Sequence, residues 1–180
     1  MIQTRRLASL AISAVLALAA LPAGAQERAS RMKGLALNND TPIQIESDSL
    51  EIREQEKKAI FTGNVKVAQG PTTLRAGHMV VYYVAEGGSV SSGNADIDRL
   101  EVSKKVVLSS GNQNASADTG VFNMKTEILV LEGKKVVLSE GQNIFTGCKL
   151  TVQMKTGEAR LESCGGRVRI QLDPKTRKTK

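Results

Sequence analysis

The segment KKVVLS stands at Lys104–Ser109 and again, 30 residues later, at Lys134–Ser139. A glycine follows each copy within two residues, at Gly111 and at Gly141. In each copy a valine and a leucine lie two residues apart, the spacing that puts both side chains on one face of a β-strand. A strand and turn that recur with a period near 30 residues indicate stacked β-hairpins, each burying its apolar face only against its neighbours.

Further segments alternate apolar and polar residues in the same way, whereas no stretch after Gln26 has the periodicity of an amphipathic helix. They are Thr41–Ile52, Ala59–Val67, Glu101–Leu108 and Leu150–Met154. We predict that each contains a half-buried strand and that the chain is all-β.

Turn-forming residues separate these segments and leave strands of roughly five to ten residues between most of them. We also predict a loop from Glu86 to Asp96, where the sequence is polar and rich in glycine. The turn signals are Gly63-Asn64, Gln69-Gly70-Pro71, Gly87-Gly88, Ser110-Gly111-Asn112, Glu132-Gly133, Glu140-Gly141-Gln142 and Thr156-Gly157.

The composition limits the kind of ligand. Aromatic residues make up 3% of the chain and tryptophan is absent, so valine, isoleucine, leucine and methionine must form the interior. Such an interior suits flexible alkyl chains better than stacked bases or sugars. The net charge of +7 includes two arginines within residues 1–25 and a net +5 in Arg167–Lys180, which leaves the body neutral. Nucleic-acid binding needs a basic face on the folded domain, so we exclude it.

The N-terminal residues are typical of a secretory signal peptide. Arg5 and Arg6 precede an apolar run from Leu7 to Leu21, and Ala23-Gly24-Ala25 supplies a cleavage site. An uncleaved membrane anchor is the alternative, but the run is shorter than the roughly 20 apolar residues that span a bilayer. We predict a signal peptide over residues 1–25, a flexible lead-in over 26–40, the β domain over 41–172 and a basic, disordered tail over 173–180.

The sequence holds no pattern that indicates catalysis, a cofactor or a metal. The single histidine, His78, lies in a strand-like setting, where we expect it to pack or to face solvent. Glu46, Asp48 and Glu51 cluster near one strand. We interpret the glutamates as a solvated face and Asp48 as a turn residue, because Asp118 recurs at the equivalent place of another repeat. The protein is therefore predicted not to be an enzyme.

Cys148 and Cys164 form an even pair in a chain that we expect to be secreted. A disulfide between them and two unpaired structural thiols are equally compatible with the sequence. Neither cysteine has the spacing of a metal ligand.

Several segments, taken in order, resemble the OstA-like family of periplasmic lipopolysaccharide-transport proteins. The resemblance covers roughly residues 41 to 160, and its first part is the most specific. The matching segments are Pro42–Glu51, Phe61–Gly70, Leu74–Ala76, Ala117-Asp118, Leu129–Gly133 and Asn143–Leu150.

The resemblance implies an antiparallel β-jelly roll of stacked hairpin rungs, open at both ends, whose apolar interior holds the acyl chains of lipid A. It implies head-to-tail self-association, and a bridge between an inner-membrane-anchored relative and an outer-membrane receptor in outer-membrane biogenesis. No cofactor is implied. A register error of one residue would reverse the facing of a whole strand. The residues predicted to face the acyl chains are Ile43, Ile45, Phe61, Val65, Val67, Leu74, Phe122, Met124 and Leu131.

The chain departs from the family pattern at two turns. Gly77 and Cys148 stand where other repeats have Asp48 and Asp118, so the local geometry is expected to differ there. Two relatives in the family carry a retained membrane helix or a membrane barrel, and loss of the signal peptide favours a free-standing bridge. The alternative from another functional class is a structural β-solenoid scaffold that binds envelope proteins or glycans through its outer surface.

Overall fold

The computed structural model describes Leu37, residues 41–84 and residues 96–174. The predicted signal peptide, the rest of the lead-in, all but the last residue of the predicted loop at 86–96, and the tail from residue 175 lie outside the described residues. Asp96, the last residue of that predicted loop, is the first residue of a strand.

The described residues form ten β-strands and one short 3-10 turn, Glu54–Glu56. All strand pairs are antiparallel, and β3 to β8 follow one another as a meander. β1 and β2 both pair with β3 at one end of the sheet, while β9 and β10 both pair with β8 at the other. The strands are β1 Gln44–Glu46, β2 Ser49–Arg53, β3 Lys58–Gln69, β4 Thr72–Val84, β5 Asp96–Ser110, β6 Gln113–Asn123, β7 Ile128–Glu140, β8 Asn143–Gln153, β9 Glu158–Glu162 and β10 Arg169–Gln171.

The central strands are interrupted near their middle by β-bulges, which appear as shifts in the pairing register. The bulges line up across the sheet and form a corner, because a bulge bends its strand and increases the local twist. On one side of the corner lies the first leaf, which contains β1, β10 and the half-strands joined by turns at Gly70, Gly111 and Gly141. The second leaf contains β2, β9 and the remaining half-strands.

Aspartate and glycine face each other at two points of the corner. The backbone N–H of Asp48 donates to the Gly63 carbonyl at 2.9 Å, and the side-chain amide of Asn64 donates to Asp48 Oδ2 at 2.9 Å. In the later repeat, Asp118 Oδ2 accepts a hydrogen bond from the Lys134 N–H at 2.8 Å. Each carboxylate thus satisfies donors at a bulge, where the sheet ladder is interrupted.

Asp48 lies at a bend between β1 and β2, as a turn residue would, whereas Asp118 lies inside β6. Two of the predicted turns, Gly63-Asn64 and Glu132-Gly133, are also bulges inside β3 and β7. Gly63 and Asn64 have positive φ, 80° and 46°, so they carry the local signature of a turn although the strand continues beyond them. For this reason β3 to β8 are 11 to 15 residues long, instead of the expected five to ten.

The KKVVLS repeat is explained by the same corner. Lys104 and Lys105 lie at the bulge of β5 with φ of 66° and 63°, and Val106 and Leu108 follow as buried residues of the first leaf. The second copy covers the equivalent half-strand of β7. Each copy therefore marks the passage of one strand from the corner to the turn at the end of the first leaf.

The buried side chains of both leaves form one apolar cluster. We call the face of each leaf that carries these side chains its inner face. Residues from both leaves line the same small cavity, which shows that the inner faces pack against each other. Leu37, in the segment predicted as a lead-in, is buried in this cluster with 5% of its surface exposed.

A disulfide joins Cys148 to Cys164, with 5.8 Å between their Cα atoms. Cys148 lies at the corner in β8, and Cys164 lies between β9 and β10. Because β9 belongs to the second leaf and β10 to the first, the bond fastens the chain where it crosses between the leaves. The pairing that the sequence left open is thus formed in the structure.

We predict that Gly133→Ala lowers the free energy of unfolding by about 1–3 kcal/mol. A Cβ at Gly133 would lie 2.7 Å from Asp118 Oδ2 and 2.8 Å from the Asp118 backbone nitrogen. Gly166→Ala is the matched control, because its Cβ would meet nothing within 4 Å. Urea denaturation of both variants checks this, and equal stability of the two would contradict the role of the close contact at the corner.

Reduction of the disulfide is expected to lower the free energy of unfolding by about 2–4 kcal/mol, since the bond closes a short loop in the unfolded chain. The two cysteines are 16 residues apart in sequence. Thermal unfolding with and without a reductant measures the effect. A Cys148→Ala/Cys164→Ala variant should not respond to the reductant, whereas an unchanged melting temperature of the reduced wild type would disprove the prediction.

Candidate functional site

The candidate site is the apolar space between the inner faces of the two leaves. The structure places all nine residues of the predicted acyl-facing set in or against the apolar cluster. Their contact with a lipid stays a prediction. Buried in the cluster are Val65, Val67, Leu74, Phe122, Met124 and Leu131, while Ile43, Ile45 and Phe61 are partly buried and pack against it.

The middle of this space is closed. A cavity of about 20 Å³ remains there, enough for roughly one water molecule. An acyl chain therefore enters the middle only if the leaves move apart. The cavity is lined by Leu37, Leu74, Leu100, Val102, Leu108, Phe122, Leu129 and Met154.

The space widens at the end formed by β8 and β9. A cavity of about 660 Å³ opens there, which is within the size range of small-molecule sites. Leu138, Phe145, Leu150 and Leu161 give it an apolar floor. The polar residues around it are Glu140, Thr151, Gln153, Glu158 and Arg160.

Leu138, Phe145, Leu150 and Leu161 line this cavity but were not predicted as site residues. The signal for Leu138 was present, because it occupies the same place in the repeat as the buried Leu108. Phe145 was ambiguous, because its neighbour Ile144 is also apolar yet is exposed on the opposite face. Two adjacent apolar residues do not reveal which of them faces inward.

Apolar side chains of the inner face are exposed at both ends of the sheet. At one end Leu50 and Ile52 of β2 are 52% and 39% exposed. At the other end Ile170 of β10 and the following Leu172 are 60% and 64% exposed. In the described part of the chain no further strand covers either end. The apolar lining therefore continues to both ends.

Charged side chains form pairs on the outside of the sheet. Lys149 Nζ lies 2.7 Å from Glu132 Oε1, and this hydrogen bond raises the pKa of Lys149. Arg53 Nε donates to Glu51 Oε1 at 2.7 Å and lowers the pKa of the Glu51 carboxyl group. The pairs are solvent-exposed and contribute little to stability. The buried side chains of the described residues carry no formal charge.

His78 lies in β4 in register with Thr62 and Ser103. Its Nδ1 is 3.2 Å from Thr62 Oγ1, and the side chain is partly exposed. Within residues 41–84 and 96–174 there is no cluster of side chains suited to a metal ion. Those residues also contain no helix that is long and apolar enough to cross a membrane.

Comparison with known proteins identifies relatives of this sheet. The model of the family "LptA/(LptD N-terminal domain) LPS transport protein" matches residues 44–158. An uncharacterized protein of Rhizobium meliloti (strain 1021) is 64% identical over 175 residues, which covers 93% of this chain and 94% of the relative. The lipopolysaccharide export system protein LptA of Escherichia coli (strain K12) is 28% identical over 143 residues, which covers 66% of this chain and 77% of LptA.

Among solved structures, LptH of Pseudomonas aeruginosa superposes with a TM-score of 0.63 and 16% sequence identity, covering 76% of this chain and 99% of LptH. It is described as the LptA-homologous periplasmic component of the lipopolysaccharide transport device. At this identity the likeness concerns the fold, and it confirms the predicted antiparallel β-jelly roll. The family match spans more than half of the chain. This chain therefore belongs to the family of LptA and LptD N-terminal domain lipopolysaccharide transport proteins.

Proposed function

We propose that this chain binds the acyl chains of lipopolysaccharide between its two leaves and carries the lipid across the periplasm. The observation that carries the proposal is the cavity of about 660 Å³ at the β8–β9 end. Its apolar floor is continuous with the buried cluster through Leu138 and Leu150, which belong to both. Acyl chains that enter there meet an uninterrupted apolar face.

The energetics favour such a cargo. Burial of a methylene group contributes about 0.8 kcal/mol, so ten methylenes contribute about 8 kcal/mol. The leaves have to separate for a chain to reach the middle, but the side chains they expose are then covered by the lipid. Contacts between the two leaves are thus replaced by contacts between each leaf and the lipid, which keeps the free-energy cost of separation low. The corner is the line about which the leaves would open.

The same lining supports end-to-end stacking. Strand addition joins an unpaired edge of one sheet to the edge of another, with backbone hydrogen bonds between them. β1 and β2 are the terminal strands at one end, and β9 and β10 at the other. Stacking of one copy on the next would cover the exposed Leu50 and Ile170 and would continue the apolar space from domain to domain.

Related domains of the inner and outer membrane components of the transport system are the natural partners for these ends. Together with the predicted signal peptide, the family membership supports a periplasmic location, where the chain would act as a bridge between the two membranes. A structural scaffold that binds envelope proteins or glycans by its outer surface is the alternative. The scaffold would leave the cavity without a ligand, which the following experiment examines.

We predict that Phe145→Asp weakens binding of fluorescent lipopolysaccharide to the purified protein by about tenfold or more, because a buried charge disfavours acyl chains beside it. Ile144→Asp is the matched control, since Ile144 is the adjacent residue on the outer face and is 38% exposed. It should change the affinity by less than about twofold. Circular dichroism confirms that both variants are folded. Equal affinities of the two variants would favour the scaffold.

We also predict that Leu50→Lys reduces self-association, because it places a charge at the end of the inner face. Sedimentation velocity over a range of concentrations should show a lower average mass than for the wild type. Val121→Lys is the control, since Val121 is 41% exposed but lies on β6 in the middle of the sheet. If Val121→Lys reduced self-association and Leu50→Lys did not, the contact would lie on the outer face and the prediction would be wrong.

A further inference from the structure

The inner face of the first leaf ends in polar side chains at the turns that join its half-strands. Buried polar side chains in the described residues occur only here. They are Gln69, Thr72, Ser110 and Gln113, each with no more than 6% of its surface exposed. We call these four residues the polar row.

The polar row is continuous across four strands. Gln69 of β3 is in register with Thr72 of β4, Thr72 with Ser110 of β5, and Ser110 with Gln113 of β6. Gln113 is in turn opposite Glu140 of β7. The row therefore runs along the edge of the apolar space, where the boundary between the acyl chains and the polar head of a bound lipid would lie.

Most polar atoms of the row have partners within the protein. Gln69 Nε2 donates to the Thr41 carbonyl at 2.7 Å, and Thr72 Oγ1 donates to Ser110 Oγ at 3.2 Å. Gln113 Nε2 donates to Glu140 Oε1 at 3.3 Å. These bonds hold the row in place on the inner face.

Gln113 Oε1 is the exception. It is buried and has no hydrogen-bond partner among the described residues. The orientation of the amide follows from its partner, because the reverse orientation would put two acceptor oxygens, from Gln113 and Glu140, against each other. A buried acceptor without a donor is rare and costly in a folded protein. The described residues therefore leave this atom available to a further donor, such as one on a bound ligand.

The side chains of the inner face directly beside Gln113 are small. The next inward residues of β6 are Ala115 and Ala117, both buried. Ala115 is flanked in register by Leu108 on one side and Leu138 on the other. The small side chains between larger ones form a trough along β6, which leads from the polar row towards the corner and is covered while the two leaves are packed together.

We propose that Gln113 and this trough form a subsite for an acyl chain that carries a hydroxyl or amide N–H donor close to its head. The chain lies along Ala115 and Ala117, and the donor bonds to Gln113 Oε1. The inference rests on the proposed function and adds a chemical preference to it: acyl groups with such a donor bind better than plain fatty acyl groups.

The expected preference follows from one hydrogen bond. A donor that satisfies the acceptor gains about 1 kcal/mol, which corresponds to about fivefold in affinity. A plain acyl chain leaves Gln113 Oε1 buried and unpaired, so it gains only from apolar burial. The preference should therefore be lost when the acceptor is replaced by an apolar group of similar length.

The test compares binding of 3-hydroxydodecanoate and dodecanoate to the purified full chain by calorimetry. The wild type should bind the hydroxylated probe about fivefold more tightly. Gln113→Met should bind both probes equally, with the affinity for dodecanoate unchanged or increased. Asn114→Met, on the exposed face of the same strand, should keep the wild-type preference. Thermal unfolding of the variants confirms that they are folded, and Gln113→Leu provides a second apolar replacement.

Two failures are distinguishable. If lipopolysaccharide binds to the wild type but the hydroxylated probe has no advantage, or if the advantage survives in both Gln113 variants, the subsite is wrong and the proposed function stands. If neither lipopolysaccharide nor either probe binds to the folded wild type, the proposed function fails and the subsite fails with it.

Discussion

A single antiparallel sheet with one apolar face needs a second surface to cover that face, and in the described part of this chain the only such surface is the sheet itself. The bulges in the central strands make this possible, because they let β3 to β8 cross from one leaf to the other at the same level. Gly63 and Gly133 at the corner leave room for the carboxylates of Asp48 and Asp118. The core, the cavity and the exposed ends all follow from this fold of the sheet upon itself.

A core made in this way differs from that of a closed sandwich. The two leaves are continuous at the corner and are separate at their turns, so they can part without breaking the strand pairing within either leaf. The disulfide between Cys148 and Cys164 fastens the crossing at one end, next to the wider cavity. A transport protein needs an apolar interior that exists before the lipid arrives and yet can admit it. The packed middle and the open end are compatible with both requirements of the proposed function.

Much of this could be predicted from the sequence, because alternation in a strand reports which side chains face inward. Phe122, Met124 and Leu131 were placed correctly on the inner face for that reason. The corner could not be predicted, because glycine and asparagine, which adopt positive φ at the bulge of β3, occur at bulges and at hairpin turns alike. The polar row could not be predicted either, because polar residues beside a turn, such as Gln113, are expected to be exposed. The partner of Gln113, Glu140, is 27 residues away in sequence, and no local pattern describes such a contact.

The central claim is that acyl chains lie against the inner face, and photo-crosslinking in living cells tests it most directly. A photoreactive residue at Phe122, which is 4% exposed on the inner face, would be compared with one at Lys66, which pairs with Glu46 on the outer face. The account predicts a lipopolysaccharide adduct at Phe122 and none at Lys66. Adducts at Lys66 alone, or at neither position in a folded and exported protein, would contradict it.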